Sequence, residues 1–117
     1  AEEQLGSRDQ TFINRLRDSI RQNMGDSDFT VERLGEEVGL SRVQLYRKVK
    51  ALTGQTPVDL LKKARLERAR LLVEKTDKSI SEIAYEVGFT APSYFNKCFK
   101  DEFGVNPGAL REQSSKL

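Results

Sequence analysis

The 117-residue sequence predicts an all-α fold of about seven helices, in which one long central helix joins two helix-turn-helix units. Three observations predict it. The middle of the chain, PVDLLKKARLERARLLVEK from Pro57 to Lys75, has no glycine and a proline only at its first position, where a helix tolerates it. Two segments flanking that stretch repeat one another. Each copy reads as a short helical pattern, a glycine, and a second helical pattern.

The repeat comes first, because internal repetition decides how everything else is divided. Residues 30–60 run TVERLGEEVGLSRVQLYRKVKALTGQTPVDL and residues 79–110 run SISEIAYEVGFTAPSYFNKCFKDEFGVNPGAL. Val31, Leu34, Val38, Gly39 and Leu40 match Ile80, Ile83, Val87, Gly88 and Phe89 at an offset of 49. One extra residue follows near Ala91–Ser93. Leu45, Val49, Lys50, Gly54 and Pro57 then match Phe95, Phe99, Lys100, Gly104 and Pro107 at an offset of 50.

Residues 1–8 read as a tail or linker carried over from something upstream. From Asp9, the residues Phe12, Ile13, Leu16, Ile20 and Met24 recur at helical spacing, so a first amphipathic helix ends near Gly25. Asp26-Ser27-Asp28 is a turn, and Thr30 is a good N-cap for a short helix through Val38. Gly39 ends that helix with the left-handed backbone glycine accepts. Ser41 caps the next helix, from Arg42 to about Leu52, closed by Thr53-Gly54.

Thr56 and Pro57 open the central helix as N-cap and N1. Leu61, Ala64 and Leu72 form one apolar edge, and Leu66, Ala69 and Val73 form another, enough to hold a packed unit at each end. The second copy opens with a capping box, Ser79-Ile80-Ser81-Glu82. Its turn is Gly88-Phe89, and its second helix starts near Thr90 with Pro92 in the first turn. Phe95, Phe99 and Phe103 line the inner face, and Cys98 packs as a small half-buried hydrophobe. Asn106-Pro107 repeats the cap-and-proline start for a last helix through about Gln113, after which SSKL frays. The chain thus divides into a tail at 1–8, a first helix and first unit at 9–56, a connecting helix at 57–75 and a second unit at 76–117.

Composition narrows the function. Hydrophobic residues are 37% and charged residues 32%, an ordinary globular balance. No apolar run approaches a membrane span, and the acidic, polar start AEEQLGSRDQ is no signal peptide, so a cytoplasmic protein without membrane contact is expected. A single cysteine fits a reducing compartment. The absence of histidine removes Ser-His-Asp and Cys-His catalysis and most zinc sites. With no phosphate-cradling glycine loop either, neither an enzyme nor a cofactor is expected.

The net charge of +2 hides an uneven distribution. Residues 1–38 hold five basic and nine acidic side chains, residues 39–75 hold ten and three, and residues 76–117 hold five and six. A middle that is basic by seven charges calls for a polyanionic partner.

Within the first unit, RVQLYRKVK has four basic residues and no acid, with Leu45, Val49 and Leu52 on its buried side. Its outer side presents Val43, Gln44, Tyr46, Arg47 and Lys50. Arginine matches guanine bidentately, glutamine matches adenine, and apolar groups meet the thymine methyl. The competing reading is a solvated cationic helix face. In the second unit the outer residues are Ser93, Asn96, Lys97 and Lys100. The candidate DNA-binding set is therefore Ser41, Arg42, Val43, Gln44, Tyr46, Arg47, Lys50, Thr90, Pro92, Ser93, Asn96, Lys97 and Lys100.

With LSRVQLYRKVKALTGQTP in the first unit and IAYEVGFTAPSYFNKCFKDEFGVNP in the second, the chain resembles the AraC/XylS-type DNA-binding domain over roughly residues 28–112. The style SRVQLYRKVKALTG after a preceding helix is similar to the output domains of hybrid two-component regulators of gut Bacteroidetes. The resemblance implies a transcription regulator, an activator in style, whose two recognition helices lie in successive major-groove segments of double-stranded DNA. It places base reading on Val43, Tyr46 and Arg47, and on Pro92, Ser93, Asn96 and Lys97. Pro92 departs from the family pattern because proline offers no donor. Arg65 matches an arginine position that the resemblance makes structural. RNA polymerase and an upstream receiver or sensor domain are the further implied partners. Elementary geometry agrees: a nineteen-residue helix of about 28 Å, plus the width of the units it carries, can space two groove segments about 34 Å apart. The alternative is a helical protein-interaction module docking an acidic partner through the basic middle. It explains the charge but not the repeated turn.

Overall fold

The computed structural model describes residues 6–115, and all regular structure among them is helical: α1 (Ser7–Asn23), α2 (Val31–Val38), α3 (Arg42–Thr53), α4 (Pro57–Lys75), α5 (Ile80–Glu86), α6 (Pro92–Phe103) and α7 (Pro107–Ser115). None of these helices is long and apolar enough to cross a membrane. The central helix runs unbroken over the expected nineteen residues.

Helix ends follow the side chains that satisfy them. Thr30, Thr56, Ser79 and Asn106 each accept a hydrogen bond from the backbone N–H three residues on, at 3.3, 3.1, 3.1 and 2.8 Å. The reciprocal capping box expected at Ser79–Glu82 forms instead at Ser41, whose hydroxyl accepts from Gln44 N–H while Ser41 N–H donates to Gln44 Oε1. Helix α1 starts earlier than the sequence suggested. Gln10 N–H reaches Gly6 O at 2.9 Å and the Thr11 hydroxyl reaches Ser7 O at 2.9 Å, so residues 7 and 8 belong to the helix. The rest of the expected tail, residues 1–5, lies outside the described residues. At the other end α7 continues to Ser115, and the last two residues of the expected fraying SSKL also lie outside them.

The chain forms two compact units. In the first, α1, α2, α3 and the start of α4 surround Phe12, Ile13, Leu16, Ile20, Phe29, Leu34, Val38, Leu45, Val49 and Leu61. The second holds Met24–Asp28 and the chain from Lys63 onward. Its core is Leu66, Ala69, Leu72, Val73, Ile83, Ala84, Val87, Phe89, Phe95, Cys98 and Phe99. Cys98 is buried there more completely than expected. The aromatic rings pack edgewise in sequence, Phe89 on Phe95 at 5.2 Å and Phe99 on Phe103 at 4.7 Å.

Placing Met24–Asp28 in the second unit departs from the linear division, and its cause is Arg65. The Arg65 guanidinium donates to Met24 O at 2.8 Å and to Asp26 O at 2.9 Å, satisfying carbonyls just past the end of α1. Arg111 does likewise at the end of α4, donating to Val73 O in its last turn and to Thr76 O just past it, at 3.2 Å each. The structural role expected for Arg65 thus has its counterpart in the second copy.

Candidate nucleic-acid interface

The repeat is legible bond by bond. Gly39 N–H donates to Glu36 O and Leu40 N–H to Gly35 O, at 3.2 and 2.9 Å. Gly88 N–H donates to Tyr85 O and Phe89 N–H to Ala84 O, at 3.0 and 2.9 Å. Both glycines have left-handed φ, 75° and 96°. After the turn the correspondence shifts by one. Leu45 N–H bonds Ser41 O in the first unit, and Phe95 N–H bonds Ala91 O in the second. The extra residue therefore sits in the turn, between Phe89 and Ala91, just upstream of the helix.

That insertion changes how the second recognition helix begins. The sequence suggested a start near Thr90, but α6 begins at Pro92 with Ala91 as an extended N-cap, φ −135° and ψ 116°. Proline disfavours helical backbone in the residue before it and presets its own φ for the first helical position. No side chain caps α6, and Thr90 lies in the turn. Pro92 is half-buried.

On α3 the predicted residues form one exposed surface. Ser41, Arg42, Val43, Gln44, Tyr46, Arg47 and Lys50 are exposed, whereas Leu45 and Val49 are fully buried. Val43 is 60% and Tyr46 49% accessible, and their spacing of three puts them side by side on that face. The four cations of α3 are not equivalent. Arg42 pairs with Glu32 on α2, so the helix is not without a compensating acid, as its own sequence implied. Lys48 lies over the Phe12 ring at 4.6 Å, and Lys50 Nζ donates to Gly54 O at 3.1 Å. Arg47 makes no ion pair or hydrogen bond with the described residues. Gln44 commits one lone pair of its side-chain carbonyl to the capping box, and its NH2 makes no hydrogen bond with the described residues.

Glu32 is a well-anchored partner for Arg42. A backbone N–H at the start of α2, together with Arg42 and the Thr30 hydroxyl, holds its carboxyl below the ordinary value. In the second unit, burial pushes the Arg65 guanidinium down from the usual arginine range, partly offset by Asp26.

On α6, Ser93, Asn96, Lys97 and Lys100 are exposed and share the outer side, with Phe95 and Phe99 turned fully inward. Tyr94 lies among them, 54% accessible, its ring 6.1 Å from Phe89. Sequence reasoning passed over Tyr94, yet the offset of 50 pairs it with Gln44 and could have singled it out.

The family described as a helix-turn-helix domain matches residues 34–113. A protein named histidine kinase P4 from Formosa agariphila is 35% identical over 112 residues, 96% of this chain, although the chain spans only 8% of its length. The crystal structure of a transcriptional regulator from Chromobacterium violaceum, described as of AraC-type DNA-binding domain-containing proteins, superposes with a TM-score of 0.85 at 27% identity, over 95% of this chain and 98% of that one. The DNA-binding domain of AdpA, a global transcriptional factor crystallised in complex with a target DNA, gives 0.82 at 27% identity, covering 90% and 93% of the two chains.

Proposed function

The chain belongs to the AraC-type helix-turn-helix family, and on that premise we propose that it is the double-stranded DNA-binding output domain of a transcription regulator. Helices α3 and α6 each enter a major-groove segment. Val43, Tyr46 and Arg47 read bases from α3, and Ser93, Asn96 and Lys97 read them from α6. Ser41, Arg42, Gln44, Lys50, Thr90 and Lys100 flank these positions and face phosphate and sugar, the groups that fix register without carrying sequence. Pro92 contributes shape to the start of α6 but no hydrogen bond.

The observation that carries this reading is the outer side of α3. An exposed valine, an exposed tyrosine and an arginine without a partner among the described residues project together from a helix whose opposite side is fully buried. That combination suits base edges and thymine methyls. The function is binding without chemistry, so it requires no cofactor. The kinship with histidine kinase P4 supports a two-component context with an upstream receiver or sensor domain, membership of a regulator family fits a cytoplasmic location, and regulation of transcription implies RNA polymerase as a partner. Selection of duplexes from a random pool tests the reading. A short sequence motif should emerge, and its retardation in a gel shift should survive competition by scrambled duplex. Failure to enrich any motif would remove the proposal.

A further inference from the structure

The cations of α3 divide three to one. Arg42 is held by Glu32, Lys48 by the Phe12 ring and Lys50 by Gly54 O, while Arg47 stands without a partner among the described residues. Of the three restraints, only Glu32 is an acid, and only Glu32 acts on a side chain at the first position of the recognition helix. The second unit has no such pair. At the positions matching Glu32 and Arg42 by offset it carries Ser81 and Pro92.

Arg42 at the start of α3 is placed to reach phosphate, since arginine side chains and helix N-termini are among the groups that contact the backbone. Its guanidinium faces a choice between the Glu32 carboxylate and a DNA phosphate. The first is planar and the second tetrahedral, but each offers a pair of anionic oxygens to the same donor fork. Glu32 lies in the first turn of α2, within ion-pair reach of Arg42, so it competes from the same unit of the fold. We propose that Glu32 sets the sequence-independent share of DNA affinity by withholding Arg42 from the phosphate backbone, leaving base reading by Arg47 as the larger share. This inference rests on the DNA-binding reading above and adds to it a positioning residue that lies outside both recognition helices.

The test uses the folded chain with two probes, a duplex selected from a random pool and the same duplex with its bases scrambled, titrated by fluorescence anisotropy across a salt series. Glu32→Gln keeps the shape and removes the charge. The variant should bind both duplexes several-fold more tightly, by the same factor, because a phosphate contact carries no sequence information. The log–log dependence on salt should steepen by about 0.9 for the added contact. A lost acid would also raise affinity through its general field, so the decisive arm is the Arg42→Ala background. There Glu32→Gln should lose most of its gain. A gain of equal size without Arg42, an unchanged salt slope, or a weaker rather than tighter variant would each overturn the proposal. If the unsubstituted chain binds neither duplex at low salt, the DNA-binding reading itself falls, an outcome distinct from binding that ignores Glu32.

Discussion

Arg65 closes over the backbone of Gly88 so tightly that a β-carbon on residue 88 would lie 2.7 Å from its Nε and 2.4 Å from Met24 O. The matching turn glycine of the first unit, Gly39, has the same left-handed backbone but open space around it. The pair separates conformational strain from steric exclusion. Gly39→Ala should cost about 1 kcal/mol, the left-handed penalty alone. Gly88→Ala should cost about 3 kcal/mol, because the backbone carbonyl of Met24 cannot yield as a flexible side-chain end would. Urea unfolding of the two variants checks this, and equal midpoints would contradict it.

The fork of Arg65 fills two carbonyls at once, which a lysine ammonium cannot match. Arg65→Lys should lower stability by about 1–2 kcal/mol even though the charge is kept, with Arg65→Ala lower still. Thermal melts of the two variants would show the order. A lysine variant as stable as the parent would mean that charge, not geometry, is what the site needs.

Ser19 is buried in α1, and its hydroxyl finds no partner among the described residues. Ser19→Ala removes an unsatisfied polar atom and substitutes a better helix former, so stability should rise by about 1 kcal/mol. A fall in the melting temperature would reveal a bound water that the hydroxyl needs.

Arg47→Ala should cost about 1–3 kcal/mol in binding and relax base preference at one or two positions of the bound site. Lys97→Ala, at the equivalent place on α6, should cost less and lower affinity evenly, since an ammonium is a point charge. The selected site should accordingly be non-palindromic, with one well-defined half and one looser half. A perfect inverted repeat, or a Lys97 variant more damaged than the Arg47 one, would refute this division of labour.

Binding as a whole should weaken steeply with salt, with a log–log slope of roughly −0.9 per phosphate contact. Titration at low and physiological salt measures it. An affinity indifferent to salt would leave the basic middle of the chain without its electrostatic role.

What could be read from the sequence was whatever is local. Thr30, Thr56 and Asn106 announce their helices because the cap and the N–H it serves are three residues apart, and the turn glycines announce theirs through backbone conformation. The central helix was legible for the same reason, since no residue inside it breaks it. What escaped depends on residues distant in the chain. Glu32 and Arg42 are ten residues apart, and Lys48 meets Phe12 across thirty-six, so the apparent freedom of the α3 cations was an artefact of reading one helix alone. The attachment of Met24–Asp28 to the second unit likewise depends on Arg65, some forty residues away. The position of the extra residue was misjudged by a step or two, because apolar matching is silent across a polar turn, whereas the hydrogen bonds of Phe89 and Phe95 bracket it.

The unlike starts of α3 and α6 bear on which half of a target could be rewritten. Helix α3 begins with a polar lock, so its third residue must keep an amide that reaches back to Ser41, and exchanging Gln44 risks unravelling the first turn. Helix α6 begins on a proline ring whose φ needs no help from its neighbours. Ser93 therefore carries no capping duty of the kind that binds Gln44. A library aimed at new targets would find more foldable members by varying the second helix than the first, and one lineage of such regulators could drift in one half-site while holding the other.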